Sequence, residues 1–570
     1  MKSLGETALP SPLFALYCPD IATTATGQGW TQNCTPRDDQ AMSQNSSERS
    51  TSIGGHLLLE WGIKPGKSFK LALALARELA ASGVSLDAIK AKVISGFPAP
   101  AVISRRTRGT YAEAIAAENA EDEANIAAVR WHMDDLMRCP MLEHGAVMPD
   151  ACPSSSAAGT IPVGGAVISR AIHPSFHSAD ICCSMYATVF PKGVATRDFM
   201  DTVAAITRFG PGGRAPESQI ADPITDEIEG TRNPFLAQLA GRAKAQLCDQ
   251  GDGNHFAFFG SLEVSASMTE HLRANGQTAL ADALGMSDSV DVLVTHHGSR
   301  DLGAQVYKRG LFDAVTHTRA VSPDTPAHQS WLDPQSEKGV AYWEALQYVA
   351  RWTRRNHQLI HERTLARLGI KALAAFGNEH NFVWKRGDLY YHGKGATPAW
   401  KDDAGHPLLG LIPLNMAAPI LLTLGRDQSE FASFSPHGAG RNKSRSALLR
   451  ELGLAGLTPE AKLAQSRIEL ARQTEGLDVR FYYDRPDVSE SPVAYKNAEQ
   501  VQRQIEQFGL ADVIGLVQPK GSIMAGDYDK PWMIKKAQRV EQAASKDQPS
   551  KSQSKLQSKP QSKAKGKFRR

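Results

Sequence analysis

Four short segments gather the side chains that bind metal ions. Asp180-Ile181-Cys182-Cys183 offers a carboxylate and a thiolate three residues apart, and Gly253-Asn254-His255, His296-His297-Gly298-Ser299-Arg300 and Glu379-His380-Asn381 add imidazoles. A carboxylate, a soft thiolate and several imidazoles suit a borderline divalent ion such as Mn, Zn, Fe or Co, and one thiolate can bridge two ions. Separate buried histidines, each with its own hydrogen bonds, would explain any one segment. They explain four loops with similar Gly, Asn and Arg neighbours less well. Spacing leaves open whether Cys182 or Cys183, and His296 or His297, faces the ion.

A second kind of chemistry lies in Ser435-Pro436-His437-Gly438-Ala439-Gly440-Arg441. Two glycines around Ala439 open backbone N–H groups to phosphate oxygens. Arg441 can form paired bonds to phosphate, and His437 supplies an imidazole for nucleophilic or acid/base work. A Gly-rich turn closed by a basic residue is the plainer alternative. Lys394-Gly395-Ala396-Thr397 is a shorter cradle of the same type. Neither a GxxxxGK[ST] phosphate loop nor a GxSxG nucleophile turn is present.

These loops need a frame, and the apolar pattern supplies one. Short apolar segments at Gly145–Met148, Tyr186–Phe190, Phe256–Phe259, Val290–Val294, Leu389–His392 and Leu409–Pro413 alternate with Gly, Pro and His clusters, the pattern of strands ending in polar loops. Helical spacing marks Lys67–Ser82, Leu86–Val93, the helix-rich stretch Ala112–Arg138, the long Gly339–Leu368, Glu460–Ala471 and Ala498–Phe508. No solenoid-type repeat is present. The pattern predicts an α+β fold: a disordered leader over 1–52, one large domain of mixed sheets and helices over 53–530, and a basic low-complexity tail over 531–570.

Composition narrows the class. With 570 residues and 42% hydrophobic content, the chain has enough apolar material for a large core, which excludes wholesale disorder and a collagen-like fibre. The net charge of +4 is unevenly spread. Residues 541–570 carry nine Lys or Arg against two acids, whereas the rest carries 55 against 58. The basic character therefore belongs to the tail, which reads as a solvated end or as a salt-sensitive RNA tether. Seven irregularly spaced cysteines do not make a disulfide framework. The N-terminus lacks a signal-peptide core, and the longest uncharged stretch, Ala404–Gly425, is broken by Pro407, Pro413 and Pro419. A cytoplasmic protein without membrane partners is expected.

Taken in order, the segments resemble the RtcB family of RNA-splicing ligases. The resemblance rests on MPDACPSSSAAGTIPVGGAV (Met148–Val167), SADICCSM (Ser178–Met185), GDGNHF (Gly251–Phe256), HHGSRDLGAQV (His296–Val306), EHNFV (Glu379–Val383), YHGKGAT (Tyr391–Thr397), IPLNM (Ile412–Met416), SPHGAGRNKSRS (Ser435–Ser446) and SPVAYKNAEQV (Ser491–Val501). It implies a GTP-dependent enzyme with two Mn²⁺ ions. Such an enzyme joins RNA 3′-phosphate or 2′,3′-cyclic phosphate ends to 5′-hydroxyl ends through a histidine–GMP intermediate, in RNA repair or tRNA splicing. On this resemblance His437 is the nucleophile. Asp180, Cys183, His255, His296 and His380 are the metal ligands, with Cys183 as the bridge. Asn254, Asn381, Pro413, Asn415, Met416, Gly438, Ala439 and Gly440 hold the guanylate, and Arg300 and Arg441 hold RNA phosphates. The resemblance thereby favours Cys183 over Cys182 and His296 over His297, and it names no particular activating protein.

The sequence also departs from the family's pattern. Cys182 and Ser184 stand where glycines are usual, and Phe258 stands where an acid is usual. The turn Pro413-Leu414-Asn415-Met416-Ala417 replaces a Pro-Gly-x-Met-Gly turn, Ile420 replaces a serine, and Met524 occupies the place of a lysine. Lys520, Lys530 and Lys535 are candidates for that displaced lysine. The changes fall on the base-recognition side and point to altered nucleotide choice. Two other readings compete: an RNA-end binding protein that has lost ligation, and a metal-dependent phosphohydrolase using water.

Overall fold

Strand-forming Val, Phe, Ile and Leu runs assemble into one large mixed sheet that sets the position of every candidate metal-binding segment. The computed structural model describes residues 53–63, 67–97, 102–154 and 156–526. The expected leader and basic tail, and any tether role for the latter, lie outside these residues. In chain order the strands of the large sheet are β1 (Ser184–Pro191), β2 (Gly253–Glu263), β3 (Ser289–His297), β4 (Ala374–Glu379), β5 (Leu409–Pro413), β6 (Ile420–Gly425), β7 (Asp478–Phe481) and β8 (Ala511–Gly526). Their spatial order is β5-β6-β8-β2-β3-β1-β4, with β7 added beside β8. All pairs are antiparallel except β7 with β8.

A second sheet contains Leu142–Cys152 and Val163–Ser169, joined by Val383–Arg386 and Leu389–Lys394, with the short strand Ala112–Glu113 at its edge. Four helices matter for the site: α1 (Ala120–Leu136), α2 (Arg300–Val321), α3 (Glu337–Leu368) and α4 (Ala498–Gln507). Helices and sheets are thus mixed in a single domain, as the α+β expectation states. Among the described residues no helix is long and apolar enough to cross a membrane.

Local chemistry fixes the helix ends. Asn119 accepts hydrogen bonds from the N–H groups of Glu121 and Asp122, and three acids occupy the first turn of α1, where they complement the helix dipole. That cap explains why the stretch expected to be helical from Ala112 begins its helix only at Ala120. Ala112–Glu113 instead pairs in parallel with Ala146–Val147. Helix α3 is capped by the Ser336 hydroxyl, which accepts from Gly339 N–H, and stops at Gly369 in the left-handed region (φ 68°). Several elements had no counterpart in the sequence expectations, and two of them bear on the site. Helix α2 runs on directly from the His296–Arg300 segment, and β8, the longest strand, carries Gly515, Pro519 and Gly521 and bulges between Pro519 and Gly521.

The main core lies around α2 and α3, where Tyr342, Leu346, Trp352, Leu302 and Val306 are fully buried with Ile181, Cys182 and Cys183. Residues 53–63 and 67–97 form three helices around a separate small cluster that includes Leu58, Ala76, Ile89 and Val93.

Several core histidines are held neutral. His173 contacts Ser169 Oγ at 2.9 Å and the Gln329 carbonyl at 3.0 Å, and His177 contacts Tyr342 Oη at 2.9 Å. Burial pushes His173, His177 and His361 down to about 3. An unfolded histidine takes up its proton near its ordinary value, about 6.5. The unfolded chain therefore binds more protons throughout the window from 6.5 down to 3. Stability should fall as pH drops across that window, by about 1.4 kcal/mol per histidine per pH unit. Urea midpoints compared at about pH 7 and about pH 5.5 check this, and equal midpoints would sink it.

Candidate metal centre and nucleotide pocket

Strand alternation decides which of two adjacent side chains reaches the centre. At the start of β1, Cys183 points one way and Ser184 the other. At the end of β3, His296 and Thr295 are divided in the same manner. Cys183 Sγ lies 3.1 Å from His255 Nε2 and 3.3 Å from His296 Nε2. His296 Nε2 lies 3.2 Å from His380 Nε2, and His255 Nε2 lies 3.1 Å from Asp180 Oδ2. The five residues thus form two overlapping triads, Asp180/Cys183/His255 and Cys183/His296/His380, that share the sulfur.

This donor set fits a cation. The Nδ1 atoms of His255 and His296 point to the carbonyls of Gln250 (2.7 Å) and Asn254 (3.3 Å), an arrangement that directs each Nε2 lone pair inward. Burial holds the His296 and His380 imidazoles well below their ordinary range, so both stay neutral and ligating. Burial also pushes the Cys183 thiol well above its usual range. A thiolate in this place needs a positive ion beside it.

The alternate residues serve the opposite side. His297 stacks on His357 of α3 with ring centroids 3.5 Å apart. Ser184 Oγ meets His357 Nε2 at 2.5 Å, Thr295 Oγ1 bridges His357 Nδ1 (2.6 Å) and His361 Nε2 (2.8 Å), and Thr188 Oγ1 meets His361 Nδ1 at 2.8 Å. Ser184, one of the departures from the family's pattern, is thus a rung of a buried polar ladder. Cys182, the other, is buried with φ 68°, a backbone conformation that costs an L-residue about 1–2 kcal/mol.

Beside the centre opens a pocket of about 200 Å³. His296, Asn254 and His437 line it near the metal-binding side chains, Gly438–Arg441 and Lys394 form a polar wall, and Phe256, Leu414, Met416, Ile420 and Met524 form an apolar end. The His437 ring lies 5.0 Å from that of His380. Its Nδ1 is 2.6 Å from Asp150 Oδ2, and Asp150 is fully buried. A proton held on Nδ1 by this carboxylate leaves Nε2 with its lone pair, the form required of a nucleophile.

Asp150 lies in the MPDACPSS segment, where nothing in the sequence pattern assigns it a role. Its position depends on the strand Leu142–Cys152 losing register between Val147 and Cys152. Gly440 (φ 69°) permits the close approach, since a Cβ there would sit 2.0 Å from the Asp150 carbonyl oxygen.

The other expected residues are distributed as follows. Pro413, Asn415 and Met416 line the pocket, as do Gly438, Ala439 and Gly440. Asn381 is buried beside His380, and its side-chain amide has no hydrogen-bond partner among the described residues. Arg441 lines the pocket and donates to Glu490 Oε2 (2.9 Å) and the Ser489 carbonyl (2.6 Å), with its guanidinium over the Tyr495 ring. Burial alone would raise the Glu490 carboxyl, but Arg441 and Arg445 outweigh it and hold it below the usual range.

Arg300 is placed differently. Its guanidinium is buried against Gly251, near Asp252 (3.4 Å) and Asp249 (3.9 Å), and it does not line the pocket. Phe258 packs into the core of the large sheet, away from the pocket lining. Lys520 is paired with Asp291, while Lys530 and Lys535 lie outside the described residues. The ladder gives a direct test. Thr295→Val keeps the shape but removes the hydroxyl between two buried rings, and should cost about 1–3 kcal/mol in chemical denaturation. A change below about 0.5 kcal/mol would show that the ladder contributes nothing.

The geometry can be set beside known proteins. The family described as tRNA-splicing ligase RtcB matches residues 219–525, more than half of the chain. A tRNA-splicing ligase RtcB of Thermococcus kodakarensis is 27% identical over 325 residues, covering 52% of this chain and 63% of that protein. One of Pyrococcus abyssi is 27% identical over 327 residues, covering 52% and 33%. An RNA-splicing ligase RtcB of Mycobacterium bovis is 27% identical over 307 residues, covering 50% and 65%. The chain thus spans between a third and just under two thirds of the length of these relatives. His255, His296, His380 and His437 fall inside the family match, whereas Asp150, Asp180 and Cys183 precede it and are brought to the same place by the fold. On the extent of that match, the chain belongs to the RtcB family.

Proposed function

We propose that the protein is a GTP- and Mn²⁺-dependent RNA ligase that joins 3′-phosphate or 2′,3′-cyclic phosphate ends to 5′-hydroxyl ends, in RNA repair or tRNA splicing. The observation that carries this reading is His437. Its Nδ1 is fixed by Asp150, and its ring stands between the Cys183/His296/His380 cluster and a pocket with one polar and one apolar end.

In the proposed reaction His437 Nε2 attacks the α-phosphorus of the nucleotide. The N–P bond forms as the bond to the β-phosphate oxygen breaks, and pyrophosphate leaves. A 2′,3′-cyclic end is first opened by water to the 3′-phosphate; an oxygen of the RNA 3′-phosphate then takes the nucleotidyl group as the bond to His437 breaks, and a 5′-hydroxyl displaces the nucleoside monophosphate to seal the strand. Asp180, Cys183, His255, His296 and His380 would hold the cations, whose chemistry is to neutralise crowded phosphates and favour in-line attack. Gly438–Gly440 would offer backbone N–H groups to phosphate, and Arg441, held in place by Glu490, would present its guanidinium to the RNA. The apolar end would take the base. Glu490 is the only carboxylate lining the pocket among the described residues, and it is engaged by Arg441, Arg445 and Tyr495, so the test must include every base.

Incubation with Mn²⁺ and each of the four α-labelled nucleoside triphosphates should give an acid-labile label on the protein. His437→Ala should lower it by at least about 10³-fold, and Cys183→Ser or a chelator should also suppress it. No label with any nucleotide would overturn ligation and leave RNA-end binding. Phosphate release without label would indicate hydrolysis.

A further inference from the structure

The Asp150–His437 pair is held from behind by one buried lysine. Lys496 is 5% exposed and does not line the pocket. Its Nζ donates to the Pro149 carbonyl at 3.1 Å and the Ala151 carbonyl at 2.9 Å, the two peptide oxygens that bracket Asp150. Its backbone N–H donates to the Gly440 carbonyl at 3.0 Å, in the loop that carries His437. One residue therefore ties the strand bearing the carboxylate to the loop bearing the imidazole, at the point where that strand has lost its register with its neighbour.

The surroundings show that the ammonium group also acts as a charge. Burial lowers the tendency of Lys496 to hold its proton, and Cys152, Asp150 and Asp122 oppose that loss. Asp122 is buried on α1 and is bound by Gln500 of α4 (2.8 Å) and by Asn442 of the His437 loop (2.6 Å). Asn125, also on α1, donates to the Ala151 carbonyl at 2.7 Å. The Lys496 charge thus bears on two buried carboxylates, Asp122 and Asp150, while Arg441, which also bears on Cys152, is paired with Glu490. Removing that cation would leave Asp122 with its amide donors and Asp150 with the His437 ring, but without the buried positive charge that bears on both.

We propose that Lys496 is a positioning residue for His437: it fixes the place and supports the charge of Asp150, and so holds the His437 ring with its proton on Nδ1. This inference rests on the reading of His437 as the reacting group, but it can be tested apart from it.

The test uses the full chain with Lys496→Gln, which keeps a donor for the Ala151 carbonyl without the charge, Lys496→Met, which keeps neither, and Lys496→Arg, which keeps the charge. Two measurements are made. The first is the downfield Nδ1–H proton resonance of His437 in histidine-labelled protein, assigned by its absence from His437→Gln. The second is the rate and the half-saturating nucleotide concentration of His437 labelling with Mn²⁺ and α-labelled nucleotide.

The Nδ1–H resonance should be lost or displaced in Lys496→Gln and Lys496→Met and retained in Lys496→Arg. The labelling rate should fall by about tenfold or more in the first two at little-changed half-saturation, because Lys496 stands outside the pocket. An unchanged resonance in a folded Lys496→Gln protein would overturn the inference, as would a rate that Lys496→Arg does not rescue. Wild-type protein that shows the resonance but takes no label from any nucleotide would refute ligation, and the Lys496 inference would then stand or fall on the resonance.

Discussion

A sulfur and three imidazole nitrogens approach one another to between 3.1 and 3.3 Å in a buried place. Four donor atoms held this close suit a cation, and they require every strand that carries them to be placed to within a fraction of an ångström. Most of the surrounding architecture answers this demand. Strands β1, β2 and β3 lie side by side and present Cys183, His255 and His296 from one end, and β4 beside β1 leads directly into His380. The carbonyls of Gln250 and Asn254 then set the ring orientations. Behind them, the ladder from Ser184 through His357, Thr295 and His361 to Thr188 bonds the reverse face of the same strands to α3. Motion of one ligand relative to another would break hydrogen bonds on the far side of the sheet.

The proposed nucleophile is built on a different principle. Of the candidate ligands, His255 and His296 sit on regular strands and Cys183 and His380 directly adjoin β1 and β4, whereas His437 and Asp150 both lie where regular pairing gives out. Asp150 lies in the register break of its strand, and His437 begins a glycine loop. Irregular backbone brings the two side chains to 2.6 Å but cannot by itself keep them there. Buried polar groups from α1 and from the segment leading into α4 fill that gap, with Asn125, Asp122 and Gln500 around Lys496. The site thus joins a rigid half, fixed by sheet geometry, to a clamped half, fixed by side-chain hydrogen bonds.

This division also explains what could be read from the sequence. The candidate ligands were visible because each lies in a short segment whose chemistry is local: Asp180 near Cys183, Asn254 beside His255, and His437 before Gly438. Strands with uninterrupted apolar runs, such as Val290–Val294, were equally plain. Asp150 and Lys496 were in view but carried no signal of their own. The contact between Asp150 and His437 joins residues 287 apart, and the bonds of Lys496 Nζ cross 345 and 347. Strand β8 was hidden for another reason. Its Gly515, Pro519 and Gly521 are residues that usually end a strand, and only the bulge between Pro519 and Gly521 lets the pairing with β2 continue past them. The helical start at Asn119 was missed because Ala and Glu upstream of the cap satisfy helical composition equally well.

The position of β8 has a consequence for how the protein is made. It is the last described strand, yet it lies inside the large sheet, hydrogen-bonded to β6 on one side and β2 on the other. During synthesis β2, with His255, emerges more than two hundred residues before the strand that covers its edge. Until then the nascent chain exposes an unpaired strand edge beside a set of metal-seeking side chains, a combination that favours wrong pairing and premature ion capture. Closure of the sheet and completion of the pocket, whose wall includes Ser522 and Met524 of this strand, coincide in one late event. A partly made chain therefore holds the candidate ligands of β1 to β4 before it has the pocket wall that β8 supplies.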